Sequence, residues 1–370
     1  MLLSLLYWLI PAFCFTANEI NFLKHNKVLK YIFASITVFF VCFSYVTGAD
    51  WWAYKIRYTG NCYVFEPFYN YFANLSYSLG IDYWCFSYII KIIVCVFLYK
   101  ILLLYPKANW FVFGLLFCNR LFIMFMAPIL RNLVAVALLW GAIYYLQKKK
   151  VFIPLFLCFL AMGFHKSAFI IIVLIIMSSV FAYIPNIINI FLLVLSILIS
   201  PYIGKFLAVI LSIIDNQYLE AHYSYASSYG SFFLLSLPHI LSIFILLNKK
   251  RILFDSPLKK MLFNFAIMSV LLIPISVLIV GFYRIKMFFD LFWAIAVYMC
   301  IKNYYNRFTK YVFLMVYMIS SSFLLTFDLI NRNNYIPYTN YFLDRDTIPS
   351  NDKNYTSNNS PFTKLGLKKK

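Results

Sequence analysis

The chain of 370 residues is 64% hydrophobic and only 12% charged, with mean hydropathy +0.82 and formal net charge +20. Soluble globular chains carry roughly 25% charged residues, so this composition excludes a soluble enzyme or binding module and describes an integral membrane protein. The Lys and Arg sit in short clusters between apolar runs, where the bias of basic residues toward the cytoplasmic side accounts for them, and nucleic-acid binding is excluded as well.

Apolar stretches that approach the roughly 20 residues of a spanning helix fall near 2–17, 31–47, 83–104, 109–127, 129–146, 151–164, 167–183, 187–203, 231–247, 261–281, 287–301 and 311–327, about twelve in all. The pattern predicts an all-α polytopic membrane protein with a single transmembrane domain over 1–327, an outer loop at 204–230 and a polar tail over 328–370. The opening MLLSLLYWLIPAFCF has neither a basic leader nor a small-residue cleavage site and reads as a retained span. Loops such as QKKK and NKKRILFDSPLKK place fifteen basic residues on one side, against seven on the other, which sets the first group in the cytoplasm. An even number of spans puts both termini outside; the basic end of the tail keeps an odd number open. Most of the eight Cys, among them Cys42, Cys95, Cys118 and Cys300, lie in apolar runs as small hydrophobes. Cys62 and Cys85 lie near the surface of the first outer loop, where a disulfide is open.

That first outer region, 48–82, begins TGADWWAYKIRYTGNCYVFEPF and gathers Asp50, Lys55, Arg57 and Glu66 among aromatic side chains. Aromatic rings anchor at the membrane interface and also offer faces on which sugars stack. The following EPFYNYFANLSYSLG has Phe68, Tyr71, Phe72, Leu75 and Leu79 at helical spacing, which predicts an amphipathic helix on the outer surface. Further polar groups collect on the same side. Arg131 stands beside Pro128 with Arg120 deeper in the preceding span, the pattern of a cationic pocket at a helical hairpin. His165, Lys166 and Ser167 share one outer turn, Arg284 and Lys286 another, and Tyr338 follows the last span. Single cations such as Lys205 and Lys286 read as snorkelling anchors; Lys91 either snorkels or pairs with a carboxylate. The acids and histidines do not stand at ligand spacings such as HExxH or DxD, so neither a metal nor a cofactor is expected.

The ordered set TGADWWAY, FEPFYNYF, LRNLVAVAL, FHKSAF, FYRIKMFF and YIPYTNYF resembles the EpsG-like proteins, O-antigen and exopolysaccharide polymerases of the Wzy type. The match runs from Gly48 to Tyr338 and takes in Asp50 and Tyr54, Glu66 and Pro67, Arg131 and Ala135, His165 and Ser167, Arg284, and Pro337 with Tyr338. Asn132 stands where the family usually has Gln. The resemblance implies a fold similar to multi-span polyprenyl-lipid glycosyltransferases of the GT-C type. It implies a polymerase that moves the growing glycan from undecaprenyl diphosphate to the non-reducing end of a new lipid-linked repeat, at the outer face of the bacterial inner membrane. A chain-length regulator and a flippase of the same pathway are its implied partners.

The chemistry suits these residues. Negative charge that builds on a departing diphosphate is met by guanidinium and ammonium groups, so Arg131, Arg284, Lys166 and Arg120, with Tyr54 and Tyr338, are the expected substrate-binding set. The attacking hydroxyl needs a base, for which Asp50, Glu66 and His165 are the candidates. A lipid-linked oligosaccharide flippase, an O-antigen ligase and a membrane acyltransferase are the alternative functions.

Overall fold

The computed structural model describes residues 2–20, 26–48, 50–60, 65–105, 110–118, 129–213, 256–278, 280–302, 307–331, 338–344, 346 and 348. Among the described residues every regular element is helical: a 3-10 turn at Leu2–Leu5 and fifteen α-helices. They form two compact units, Met1–Ala168 with Ser321–Lys370, and Phe169–Ser320.

The first unit contains α1 (Leu6–Glu19), α2 (Lys27–Cys42), α3 (Trp51–Gly60), α4 (Pro67–Ser78), α5 (Tyr83–Leu104), α6 (Trp110–Cys118), α7 (Leu130–Gln147) and α8 (Phe152–Phe164). Helix α7 is its centre. It is apolar on every side and buried from Leu130 to Ile143 apart from Arg131, as a helix enclosed by neighbours should be. It packs between α5 and α8. Gly141 lets α5 come close: a Cβ there would lie 2.4 Å from the Phe97 ring. Helices α5 and α7 are long and apolar enough to cross a membrane, and they coincide with the expected spans at 83–104 and 129–146. Six shorter apolar helices accompany them among the described residues.

Two stretches of the first outer region fold differently from a plain loop and surface helix. Residues 51–60 were expected as loop, yet form α3, because Trp51, Tyr54 and Tyr58 recur at helical spacing and bury one face. Helix α4 forms where the amphipathic pattern predicts, with Pro67 in its first turn, a position where the missing N–H costs no hydrogen bond. Its anchoring face is Tyr69 and Ala73, whereas Tyr71, Phe72, Leu75 and Leu79 of the apolar stripe stay exposed. Such a helix offers apolar side chains to lipid, in keeping with an interfacial position. Its end is a Schellman turn: Ile81 N–H donates to Ser76 O (3.1 Å), Gly80 N–H to Tyr77 O (3.0 Å), and Gly80 takes φ 73°, where a Cβ would be strained. Asp82 then caps α5, its Oδ1 accepting the Trp84 and Cys85 amides at 2.7 and 3.1 Å.

The C-terminal segment returns to the start of this region. Tyr45 N–H donates to Thr339 O (2.9 Å) and Tyr341 N–H to Phe43 O (3.0 Å), just before α15 (Tyr341–Asp344). The last motif is thereby stitched beside the first.

The second unit holds most of α9 (Ser167–Ser178), then α10 (Asn186–Ile213), α11 (Pro257–Leu271), α12 (Ile273–Leu278), α13 (Val280–Lys302) and the first half of α14 (Arg307–Asn331). Helix α10 continues through Lys205 to Ile213, so the expected outer loop 204–230 begins as helix; residues 214–230 and the expected span 231–247 lie outside the described residues. The expected span 261–281 is divided at Leu272, where Pro274 cannot supply the next helical N–H. On α13, Lys286 and Asp290 form a buried ion pair (2.5 Å), and Ser269 of α11 donates to the same carboxylate oxygen (2.7 Å). Lys286 was expected to snorkel. Burial without a partner would be costly, and the carboxylate one turn away holds the ammonium in the core.

Candidate active site

Three pieces of the first unit converge: the 65–70 stretch entering α4, the start of α7, and the turn between α8 and α9. Glu66 precedes α4 but caps none of its amides. Its carboxylate instead forms an ion pair with Nη1 of Arg131, 65 residues away, and accepts the Lys166 amide at 3.4 Å. Arg131 donates from Nε to the Tyr54 hydroxyl of α3 (3.1 Å), and its guanidinium lies 3.9 Å from the Phe65 ring centroid. Among the described residues Nη2 has no hydrogen-bond partner. Arg131 is thus aimed from three sides while one edge of its fork stays available to a ligand.

The α8–α9 turn supplies a second chain. His165 ends α8 in extended conformation and sets Nδ1 2.7 Å from Ser167 Oγ, which contacts Asn132 Oδ1 at 2.9 Å. The Ser167 amide N–H donates to the same Nδ1 (3.1 Å), so Nδ1 is an acceptor and the neutral ring carries its proton on Nε2. Asn132, buried at 1% exposure, is spent on this chain, and the shorter amide still reaches Ser167.

The electrostatics follow from burial and these charges. Burial works to raise the Glu66 carboxyl, but the Arg131 and His165 charges and the hydrogen bonds it accepts outweigh that and hold it below the ordinary carboxylate value. Behind it, burial pushes the Tyr69 phenol up, with Tyr83 and Tyr54 adding to the effect, so it stays protonated.

The structure therefore brings together Glu66, Arg131, His165 and Tyr54, with Lys166 contributing its backbone while its side chain is exposed. Asp50 stands at the start of α3, where its carbonyl accepts the Tyr54 amide (3.3 Å) and its charge acts on Tyr83, itself a neighbour of Tyr54. Arg284 is a half-buried residue of α13 in the second unit. The Tyr338 hydroxyl donates to Phe40 O (2.6 Å) and its ring packs on Phe40, so it ties the C-terminal segment to α2. Arg120, Pro128, Pro337 and Cys62 lie outside the described residues; Cys85 is an exposed thiol. Lys91 is buried and donates to the Ser44 hydroxyl (2.9 Å), a neutral partner in place of the expected carboxylate or of snorkelling. Among the described residues no three His, Cys, Asp or Glu stand together as a metal site.

Arg57 and Asn70 support the site and were not singled out as site residues. Arg57, on the buried side of α3, donates to Asn70 Oδ1 (2.9 Å), and Asn70 donates to the Phe65 carbonyl (2.6 Å), fixing the strand of chain that carries Glu66. The available clue is spacing: Arg57 lies three residues after Tyr54 and so shares its helix face.

Compared with known families, residues 27–340 match the family described as the EpsG family. No curated protein and no solved structure matches the chain.

Proposed function

The chain belongs to the EpsG family, which supports a polysaccharide polymerase type of role, and from that premise we propose that it is a glycosyltransferase. It joins undecaprenyl-diphosphate-linked oligosaccharide repeats at the outer face of the bacterial inner membrane. The growing glycan passes to the non-reducing end of a new repeat. One observation carries this reading: Arg131, preorganised by Glu66, Tyr54 and Phe65, keeps a guanidinium edge for an anionic group.

In the proposed step the acceptor hydroxyl oxygen attacks the anomeric carbon of the donor. The bond from that carbon to the diphosphate oxygen breaks, and its electron pair leaves with the carrier. Arg131 meets the charge that develops on the diphosphate, where a fixed donor is worth more than mobile water. Glu66 serves mainly to orient Arg131, since a carboxylate held ionised by a cation is a poor base. Asp50 takes the hydroxyl proton. His165, backed by Ser167 and Asn132, is the other candidate for that role. Arg284 and Lys166 are proposed to bind further phosphate or sugar oxygens.

The test is complementation of a polymerase-deficient strain carrying the matching sugar cluster, with the glycan ladder scored on a gel. The intact protein is expected to restore the ladder, and Arg131→Ala at equal membrane abundance to collapse it to a single repeat, a rate loss of about 100- to 1,000-fold. Single repeats that never reach the surface without the protein identify a flippase. In a strain lacking only this protein, ladders that form but stay on the carrier identify a ligase.

A further inference from the structure

One turn beyond Tyr54 on α3, the first unit contains a pocket of ≈ 680 Å³. Its walls include Lys55 and Tyr58 of α3, Tyr77 at the end of α4, Asp82 and Trp84 at the start of α5, and Tyr341 of the C-terminal segment. The volume falls within the roughly 300–1,000 Å³ of pockets that enclose a drug-sized ligand, about the bulk of a short oligosaccharide. The walls are fixed. The Schellman turn and the Asp82 cap set the α4–α5 corner, the Tyr58 hydroxyl donates to Ile81 O (2.7 Å), and Trp84 packs against Tyr45 with centroids 4.6 Å apart.

Within these walls several groups are uncommitted. The Tyr77 ring is 56% exposed, stands nearly perpendicular to Tyr58, and its hydroxyl has no hydrogen-bond partner among the described residues. Asp82 spends only Oδ1 on the α5 cap, so its Oδ2 can accept hydrogen bonds. Gly80 leaves the rim open, with no atom within 4 Å of the position a Cβ would take. The lining carries one ammonium and one carboxylate, so its formal charges cancel and it offers a diphosphate no net attraction, while a neutral polyol meets hydrogen-bonding groups of both kinds. Flat aromatic faces for C–H surfaces, with a carboxylate for hydroxyl groups, suit a saccharide.

The pocket is also joined to the candidate active site. Tyr83, another wall residue, lies within electrostatic range of both Tyr54 and Asp50, and Tyr54 holds Arg131. We propose that this pocket is a saccharide subsite that seats the acceptor repeat, delivering its terminal hydroxyl toward Asp50 while Arg131 holds the donor diphosphate. Binding of a neutral saccharide follows from the pocket itself; the acceptor role rests on the polymerase reading.

The experiment uses the full chain in a detergent without a sugar headgroup. The probe is the repeat oligosaccharide freed by mild acid from the carrier lipid of the polymerase-deficient strain, with binding followed by calorimetry. Wild type is expected to bind it, and Tyr77→Phe nearly as well. Tyr77→Ala, a change at an exposed position, is expected to bind roughly fivefold to tenfold more weakly. Asp82→Asn, which preserves the helix cap, should also weaken binding. No binding by wild type, or equal binding by Tyr77→Ala, overturns the subsite and leaves the ladder result for Arg131 untouched. Tyr77-dependent binding by a protein that restores no ladder keeps the subsite and removes its acceptor role.

Discussion

Arg131 shows how one side chain acquires a direction. Glu66, Tyr54 and Phe65 each constrain the guanidinium, and a lysine cannot satisfy all three while presenting a fork to phosphate. Arg131→Lys is therefore expected to lose most of the ladder, about 100-fold in rate, despite keeping the charge; ladder formation at the wild-type level would show that charge alone suffices. Glu66 supplies a pH prediction. Its carboxyl lies below the ordinary value of 4.5, so the folded chain holds fewer protons there than the unfolded chain. That stability is present above 4.5 and is lost as pH falls through the lower folded value. The thermal midpoint of wild type should drop on acidification below 4.5, and Glu66→Gln should flatten that limb; superimposable acid limbs would count against the ion pair as its cause. At this scale Arg131, Glu66 and His165, which the structure brings together, stood out in the sequence because ionisable groups are rare in apolar runs. Asn132, Asn70 and Arg57 were not, since their roles are set by the partner each one meets.

Among the elements, α4 is held to α8 by close approach. A Cβ on Gly163 would lie 2.1 Å from the Phe68 ring, and Phe72 stacks on Phe164. Gly163→Ala should cost about 1–3 kcal/mol, with part of that recovered when combined with Phe68→Ala. Equilibrium unfolding in mixed detergent checks this, and strict additivity of the two changes would mean that the contact does not matter. Within the second unit, Lys286→Met removes the ammonium that neutralises buried Asp290 and should cost about 3–5 kcal/mol. The double variant Lys286→Met/Asp290→Leu should be more stable than that single variant; a double variant as unstable as the single would sink this account. Helices α5, α7 and α4 were legible from apolar length or period. Helix α3 carried its period too, but its charges and dense aromatics resemble an interfacial loop, and its helical face is recognised only once Tyr69 and Trp84 are seen beside it.

For the whole molecule, the distribution of basic residues predicts orientation. In a cysteine-free background, Thr59→Cys is expected to react with a membrane-impermeant maleimide in intact cells, and Lys149→Cys only after permeabilisation; the reverse pattern would invert the topology. Composition, the spacing of apolar runs and the order of six short motifs by themselves determined the helical membrane class and the family. These are sums and sequences read along the chain, so they need no knowledge of which segments meet. Tertiary structure alone decided that Glu66 turns from its own helix to Arg131, that Lys286 pairs instead of snorkelling, and that Tyr77, Asp82 and Tyr341 line one open pocket. The reason is that an ion pair or a pocket wall depends on packing between segments far apart in the chain, and helices with apolar stripes can be packed in many ways before small residues such as Gly141 and Gly163 permit one of them.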